Sequence, residues 1–421
     1  MSRKKRWIER IKSLLILLLT VSAAFLAWRT SLFQRLMPER LSPEPVEPTP
    51  GVSSYQAAAE PVSAAVTGVS GLVCGVCYDD DGIKEVLREF RAVLAETLGS
   101  ASDPVPVEDS AWREALLGPG LFLDYGMPVS LNVLACWMGT TATFAPEQHA
   151  DRLLFSLRDQ EQVDLYYLDG HGNAFFCETL ALGSTLYSGI NSFLPNGADF
   201  AMQNETLRSC DPYALILRDL PGLTAVTATD EGGDDAAQTA ADLFGIKLNA
   251  AGSFQEQEDT VYLGEEGRLR LEADGCLRYL AAEGKNLGEA QAEADQIELC
   301  RSLLARLAAA CGGEGELQYS GTQIEESSVT YRFDYRISGI PVKLSSGSAG
   351  WAVFRGGRLE ELGFRPRTYL YTEIGVDRIP PLQAAAASGS LRAGSAPELI
   401  ISDPGGEVML EPVWTLRERK A

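Results

Sequence analysis

Histidine is nearly missing from this chain: His149 and His171 are the two in 421 residues. That scarcity excludes a histidine-rich metal centre and any mechanism that needs several imidazoles. Basic charge is also short, with 36 Lys and Arg against 58 Asp and Glu and a formal net charge of −22. A body of that sign is repelled by a phosphate backbone, so nucleic-acid binding is excluded. No serine lies in a Gly-x-Ser-x-Gly elbow, which removes the usual esterase nucleophile. What remains is a globular composition, 45% hydrophobic and 22% charged, with enough length for two or three domains at ~150 residues each.

The few basic residues are concentrated at one end. Residues 1–40 carry nine Lys and Arg against Glu9 and Glu39, a charge of +7 that leaves −29 for the rest. Between Lys12 and Arg29 runs Ser13–Trp28, 16 residues without a charge. As a helix at ~1.5 Å per residue it measures about 24 Å. With Lys12 and Arg29 snorkelling and Leu32, Phe33, Leu36 and Met37 continuing the apolar character, that suffices to span a bilayer. A cleaved signal peptide has similar parts, but its small-residue pairs, Val21 with Ala23 and Ser22 with Ala24, fall inside the run. The first cysteine is Cys74, too far on for a lipoprotein. The expectation is a cytoplasmic basic tip at 1–12, a transmembrane anchor at 13–36 and, by the positive-inside rule, everything beyond outside the cell membrane.

Six prolines from Pro38 to Pro61 make 37–69 read as a semi-rigid linker, with folded structure beginning near Ser70. A helix is expected from Asp81, its N-cap, to Gly99, since Ile83, Val86, Leu87, Phe90, Val93, Leu94 and Leu98 keep helical spacing. An extended Gly120–Gly126 and strands at Leu153–Leu157, Val163–Leu168 and Asn173–Leu180 complete an α+β unit at 70–182, with a turn at Asp169–Gly172. A middle α+β unit at 183–285 has a strand at Ala214–Asp219, a helix at Asp235–Phe244 and three short strands. The C-terminal α+β unit at 286–421 opens with a helix striped by Ile297, Cys300, Leu304, Leu307 and Cys311. Val329, Tyr331, Phe333, Tyr335 and Ile337 then alternate with polar residues, and Leu359–Tyr371 reads as one strand. The pattern predicts an α+β body of antiparallel sheets with helices packed on one face.

Five stretches, 8–34, 122–139 (FLDYGMPVSLNVLACWMG), 244–280, 333–369 (FDYRISGIPVKLSSGSAGWAVFRGGRLEELGFRPRTY) and 410–416 (LEPVWTL), resemble the YycH family of membrane-anchored extracytoplasmic regulators. The final unit also resembles the partner family YycI. The resemblance implies a three-domain body on one transmembrane helix, no enzymatic activity, no cofactor, and a sensor histidine kinase of WalK/YycG type as partner, with a YycI-like protein as a second one. It carries no catalytic motif. The alternative is a cell-envelope adaptor or scaffold for wall hydrolases or secretion, unrelated to a kinase.

Small residues line one side of the anchor: Thr20, Ala24, Ala27 and Ser31, with Ala23 and Ala27 as a second pair. Such residues let helix backbones approach in lipid, so this is the expected kinase-docking face, against the plainer reading of filler. Cys74-Gly75-Val76-Cys77 suggests a redox pair or half a zinc site, against a structural disulfide or buried thiols. Zinc would need a second pair, and the other six cysteines are scattered. Eight cysteines permit disulfides, with no pairing readable. A cysteine hydrolase would use Cys136 or Cys177 with a histidine, but His171 reads as a turn residue and His149 as surface polar. Asp79–Asp81 and Asp230–Asp235 lack the alternating oxygens of a calcium loop and read as helix-capping charge and a solvated loop.

Overall fold

The computed structural model describes residues 57–158, 161–248 and 253–417. The expected tip and anchor lie outside them, and no helix among the described residues is long and apolar enough to cross a membrane. The architecture is α+β, and every strand pairing but one is antiparallel.

The N-terminal sheet holds β1 (Ser63–Thr67), β2 (Val73–Cys77), β3 (Val105–Val107), β4 (Gly120–Ser130), β5 (His149–Arg158), β6 (Gln162–Leu168) and β7 (Ala174–Cys177). They lie in the order β2-β1-β4-β5-β6-β7-β3. Interleaved are α1 (Asp80–Ser100), α2 (Asp109–Leu117) and α3 (Leu131–Met138), and α4 (Gly183–Ile190) follows. The apolar stripe of α1 is buried as expected, but its cap is Asp79, whose carboxylate accepts the Gly82 N–H at 3.1 Å. The helix also runs through Gly99 to Ser100. Gly189 of α4 is a close approach: a Cβ there would sit 2.5 Å from the Phe90 ring of α1.

Two sequence expectations fail in this sheet. Folding begins before Ser70, because Ala58 and Ala59 are buried and β1 is an interior strand, with Ala64 and Ala65 fully covered. Small residues in a proline-rich context carry no strand signal; the strand is made by partners on β2 and β4. Nor do helices cover one face alone. Leu121, Leu123, Leu153 and Phe155 share a core with α1, α3 and α4. Phe122, Leu154 and Leu168 point the other way, into a core with Trp112 and Leu116 of α2, Phe200 and Tyr213. Strands covered on both sides lose the alternation that marks a one-sided sheet.

A short ribbon, β8 (Asp199–Phe200) and β9 (Leu215–Ile216), stands where a longer strand at Ala214–Asp219 was expected. Then come β10 (Thr224–Thr229), α5 (Gly233–Leu243), β11 (Ser253–Glu256), β12 (Asp259–Leu263), β13 (Gly267–Leu271) and β14 (Leu277–Ala281). After α6 (Glu293–Cys311) follow β15 (Glu316–Ile324), β16 (Val329–Ile337), β17 (Ile340–Leu344), β18 (Gly350–Arg355), β19 (Arg358–Phe364) and β20 (Thr368–Gly375). The chain closes with α7 (Pro381–Leu391), β21 (Ala396–Asp403), β22 (Val408–Leu410) and β23 (Pro412–Arg417).

Eleven of these strands make one sheet, β11-β12-β13-β14-β19-β18-β16-β17-β21-β23, with β15 on β16. It runs straight through the 285/286 division, since Tyr279 of β14 faces Leu362 of β19. β17 and β21 form its parallel pair. The alternation of β16 is real: Tyr331, Phe333 and Tyr335 are buried in the core that holds Leu304 and Leu307 of α6. The expected strand Leu359–Tyr371 breaks at Arg365–Arg367 into β19 and β20. β20 leaves for a separate three-stranded sheet, β20-β10-β22.

Candidate functional site

The β1 approach, the β4 bend and the long sheet meet around a cavity of about 110 Å³. Its wall is made by Ala59, Glu60 and Val62, Tyr125–Met127, Gln318–Ser320 of β15, Asp334–Arg336 of β16, Pro341 and Lys343 of β17, and Glu398 of β21. Gly126 makes the β4 bend possible: its φ is +70° and its N–H is held by the Asp124 carboxylate at 2.8 Å.

Arg336 is the pin of this junction. Its Nη1 donates to the Glu60 carbonyl and to Gln318 Oε1, both at 3.0 Å, and its Nη2 donates to the Pro61 carbonyl at 3.0 Å. Nε lies 3.6 Å from Asp80 Oδ1 of α1. Burial pulls this guanidinium below its ordinary range, and Asp80 opposes the shift. Lys343 Nζ is 3.2 Å from Asp334 Oδ2. Glu60 Oε2 and Arg336 Nε are both buried without a hydrogen-bond partner. Burial raises this carboxyl above its ordinary range, against the pull of Lys84.

Two further buried ion clusters hold distant segments together. Arg152 of β5 bonds both carboxylate oxygens of Asp211, and its Nε is 3.4 Å from Asp124 Oδ2. Asp124 in turn accepts from Arg417 of β23. Arg367 donates twice to Asp403, at 2.8 Å each, and also to Asp230.

The sequence-derived candidates fall elsewhere. Thr20, Ala23, Ala24, Ala27 and Ser31 lie outside the described residues. Cys74 and Cys77 sit three apart on β2 and therefore on opposite faces, which forbids a disulfide between them and a redox pair. All eight cysteines are free. Burial pushes the Cys77, Cys177, Cys276 and Cys311 thiols up to about 12, so a thiolate nucleophile at Cys177 is disfavoured. Cys136, half-buried, is raised by burial and then by Asp295. Thiol titration of the folded chain should therefore label Cys74 and Cys136 first and protect the six buried cysteines; equal labelling of all eight would contradict the packing.

His171 lies in the expected turn, where the Asp169 carboxylate is occupied by the backbone N–H groups of His171 and Asn173, at 2.9 and 2.8 Å. His149 opens β5 with its Nδ1 3.1 Å from the Glu147 carbonyl. The acidic runs are only partly solvated: Asp80 faces Arg336 and Asp230 holds Arg367. Glu272, Asp274 and Cys276 bring ligand atoms within 4.8 Å of one another. They belong to a tight turn, in which Asp274 accepts the Cys276 N–H at 3.0 Å, and a thiol raised to about 12 is a poor ligand.

The cavity residues escaped the sequence reading because Glu60 and Arg336 are 276 positions apart, and no local pattern links them. No family model matches the chain, and neither a curated protein nor a solved structure matches it.

Proposed function

We propose that this chain is a non-catalytic regulator that binds a sensor histidine kinase of WalK/YycG type and biases it between active and inactive states. In this reading residues 13–36 hold it in the cell membrane, with the tip in the cytoplasm and the acidic body outside. The observation that carries the reading is the division of charge, +7 on residues 1–40 around a 16-residue uncharged run and −29 beyond. The likeness of five stretches to YycH proteins supports the kinase as partner, with a YycI-like protein as a second. The use of Arg152, Arg336 and Arg367 as joins between distant segments supports a structural rather than catalytic role for the charges named above.

A regulator biases a kinase only through different affinities for its two states, typically worth about 1–3 kcal/mol. The docking face in this account is Thr20, Ala23, Ala24, Ala27 and Ser31, where small side chains permit close helix contact. Replacing Leu14–Trp28 by an unrelated apolar helix should abolish co-purification with the kinase and shift its phosphorylation output, while membrane insertion is kept. Unchanged co-purification and output would defeat the docking account. An envelope defect that persists without the kinase would favour a scaffold instead.

A further inference from the structure

We infer that the N-terminal sheet, where it lies open over β6, β7 and β3, is a docking face for an amphipathic α-helix of a partner protein, apolar on one side and flanked by Lys and Arg. The inference uses residues of the folded body alone and is independent of the kinase reading. One cross-strand row shows where the cover stops. Leu154 of β5 pairs with Tyr166 of β6, Tyr166 with Phe176 of β7, and Phe176 with Val105 of β3. Leu154 shares a core with Trp112 and Leu116 of α2 and is 1% exposed. Tyr166 and Phe176 are only partly buried, with ring centroids 4.9 Å apart, and Val105 at the edge is 56% exposed. Past β7, Leu180 and Leu182 are exposed on either side of the buried Ala181, and Leu182 bridges to Gln162 of β6. The helix layer on this side therefore stops short of three strands.

Dimensions and charge select the occupant. Three strands at ~4.8 Å are about 14 Å wide, which holds one helix of about 10–12 Å diameter and not two. Strand addition at the edge is disfavoured, because β3 is three residues long and its middle residue, Pro106, has no N–H to donate. The surroundings are acidic: Glu114 of α2 and Glu178 are exposed. Arg158 is already held between Asp164 at 3.4 Å and Glu178 at 3.8 Å. Burial, Asp164 and Glu114 raise the Tyr166 hydroxyl above its ordinary range, against the pull of Arg158. A Lys or Arg arriving over the Tyr166–Phe176 pair meets carboxylates and aromatic faces together, whereas an anionic lipid surface is repelled.

The test uses the full-length chain in phosphatidylcholine nanodiscs. The probe is a synthetic leucine/lysine amphipathic peptide of about 18 residues, long enough to be helical when bound, with a benzophenone on its apolar side. Binding is read by fluorescence anisotropy at physiological salt and the site by mass spectrometry of the cross-links. Saturable binding above that of empty discs is expected, with cross-links on β3, β6 and β7. A leucine/glutamate peptide of the same pattern and a leucine/lysine peptide of scrambled order should not bind. Val105→Lys should weaken binding by about tenfold or more with an unchanged melting curve, and Leu182→Lys should do the same if the first variant folds poorly. Leu391→Lys, the same charge change on an exposed leucine of α7, should leave binding intact. Binding no stronger than to empty discs, equal binding of either control peptide, equal loss in Leu391→Lys, or cross-links confined to other strands would each overturn the inference.

Discussion

Replacing Asp403 by alanine should cost the folded body about 3–5 kcal/mol, the usual loss when one partner of a buried ion pair is removed. The Asp403 side chain is fully enclosed and that of Arg367 is 5% exposed. Four donors converge on this carboxylate: Arg367 Nε and Nη2, Tyr369 Oη and the Gly405 N–H, all at 2.8 Å. Burial alone would lower the Arg367 pKa, yet Asp403 and Asp230 together hold it above its ordinary range. Without Asp403, the guanidinium keeps the Gly406 carbonyl and Asp230, the latter at the surface, 64% exposed. A half-solvated partner cannot replace an enclosed bidentate one. Asp403→Asn, which retains acceptor and shape, should lose less. Urea unfolding of the full chain, followed by circular dichroism, measures both; a loss under about 1 kcal/mol for the alanine variant would mean that the cluster contributes little.

Arg152→Ala is expected to be of the same size, about 3–5 kcal/mol, because it takes one cation from two buried carboxylates at once. The side chains of Arg152, Asp124 and Asp211 are 5%, 3% and 4% exposed. The Arg152 guanidinium also lies 5.9 Å from the Tyr213 ring centroid, a cation–π interaction that the alanine cannot make. Its removal leaves Asp124 with Arg417 of the C-terminal strand β23 and the Gly126 N–H. The damage should therefore be regional as well as global. Amide exchange should rise first around Asp211 and along β23, whose pairing with β21 is antiparallel from Ala396↔Arg417 to Ile401↔Pro412. Uniform exchange across the body, with no excess at those two places, would show that Arg152 does not tie them.

Local chemistry was well reported by the sequence. The spacing of Ile83 through Leu98 identified α1, because one side of that helix is dry and the other wet. Tyr331, Phe333 and Tyr335 identified β16 for the same reason at a period of two. Failures cluster where burial is two-sided or where pairing is remote. Phe122 and Leu154 point away from Leu121 and Leu153 into a second core, so β4 and β5 gave apolar runs without a face. β1 has no signal of its own and exists because Ala64 pairs with both Val76 and Leu123. Asp230 read as a solvated loop and Asp80 as helix-capping charge alone because the arginines they meet lie 137 and 256 residues further along.

Composition, the helical and strand periods, the turn at Asp169 and the charge split between the ends were determined by the sequence alone, since each depends on neighbours within a few residues or on simple counting. The tertiary structure decided which strands share a sheet, that Arg336 closes on the Glu60 and Pro61 carbonyls, and that Glu60 and Arg336 line one cavity. Those outcomes depend on the meeting of segments hundreds of residues apart, whose energies are settled only when the chain has folded and water has been excluded from between them.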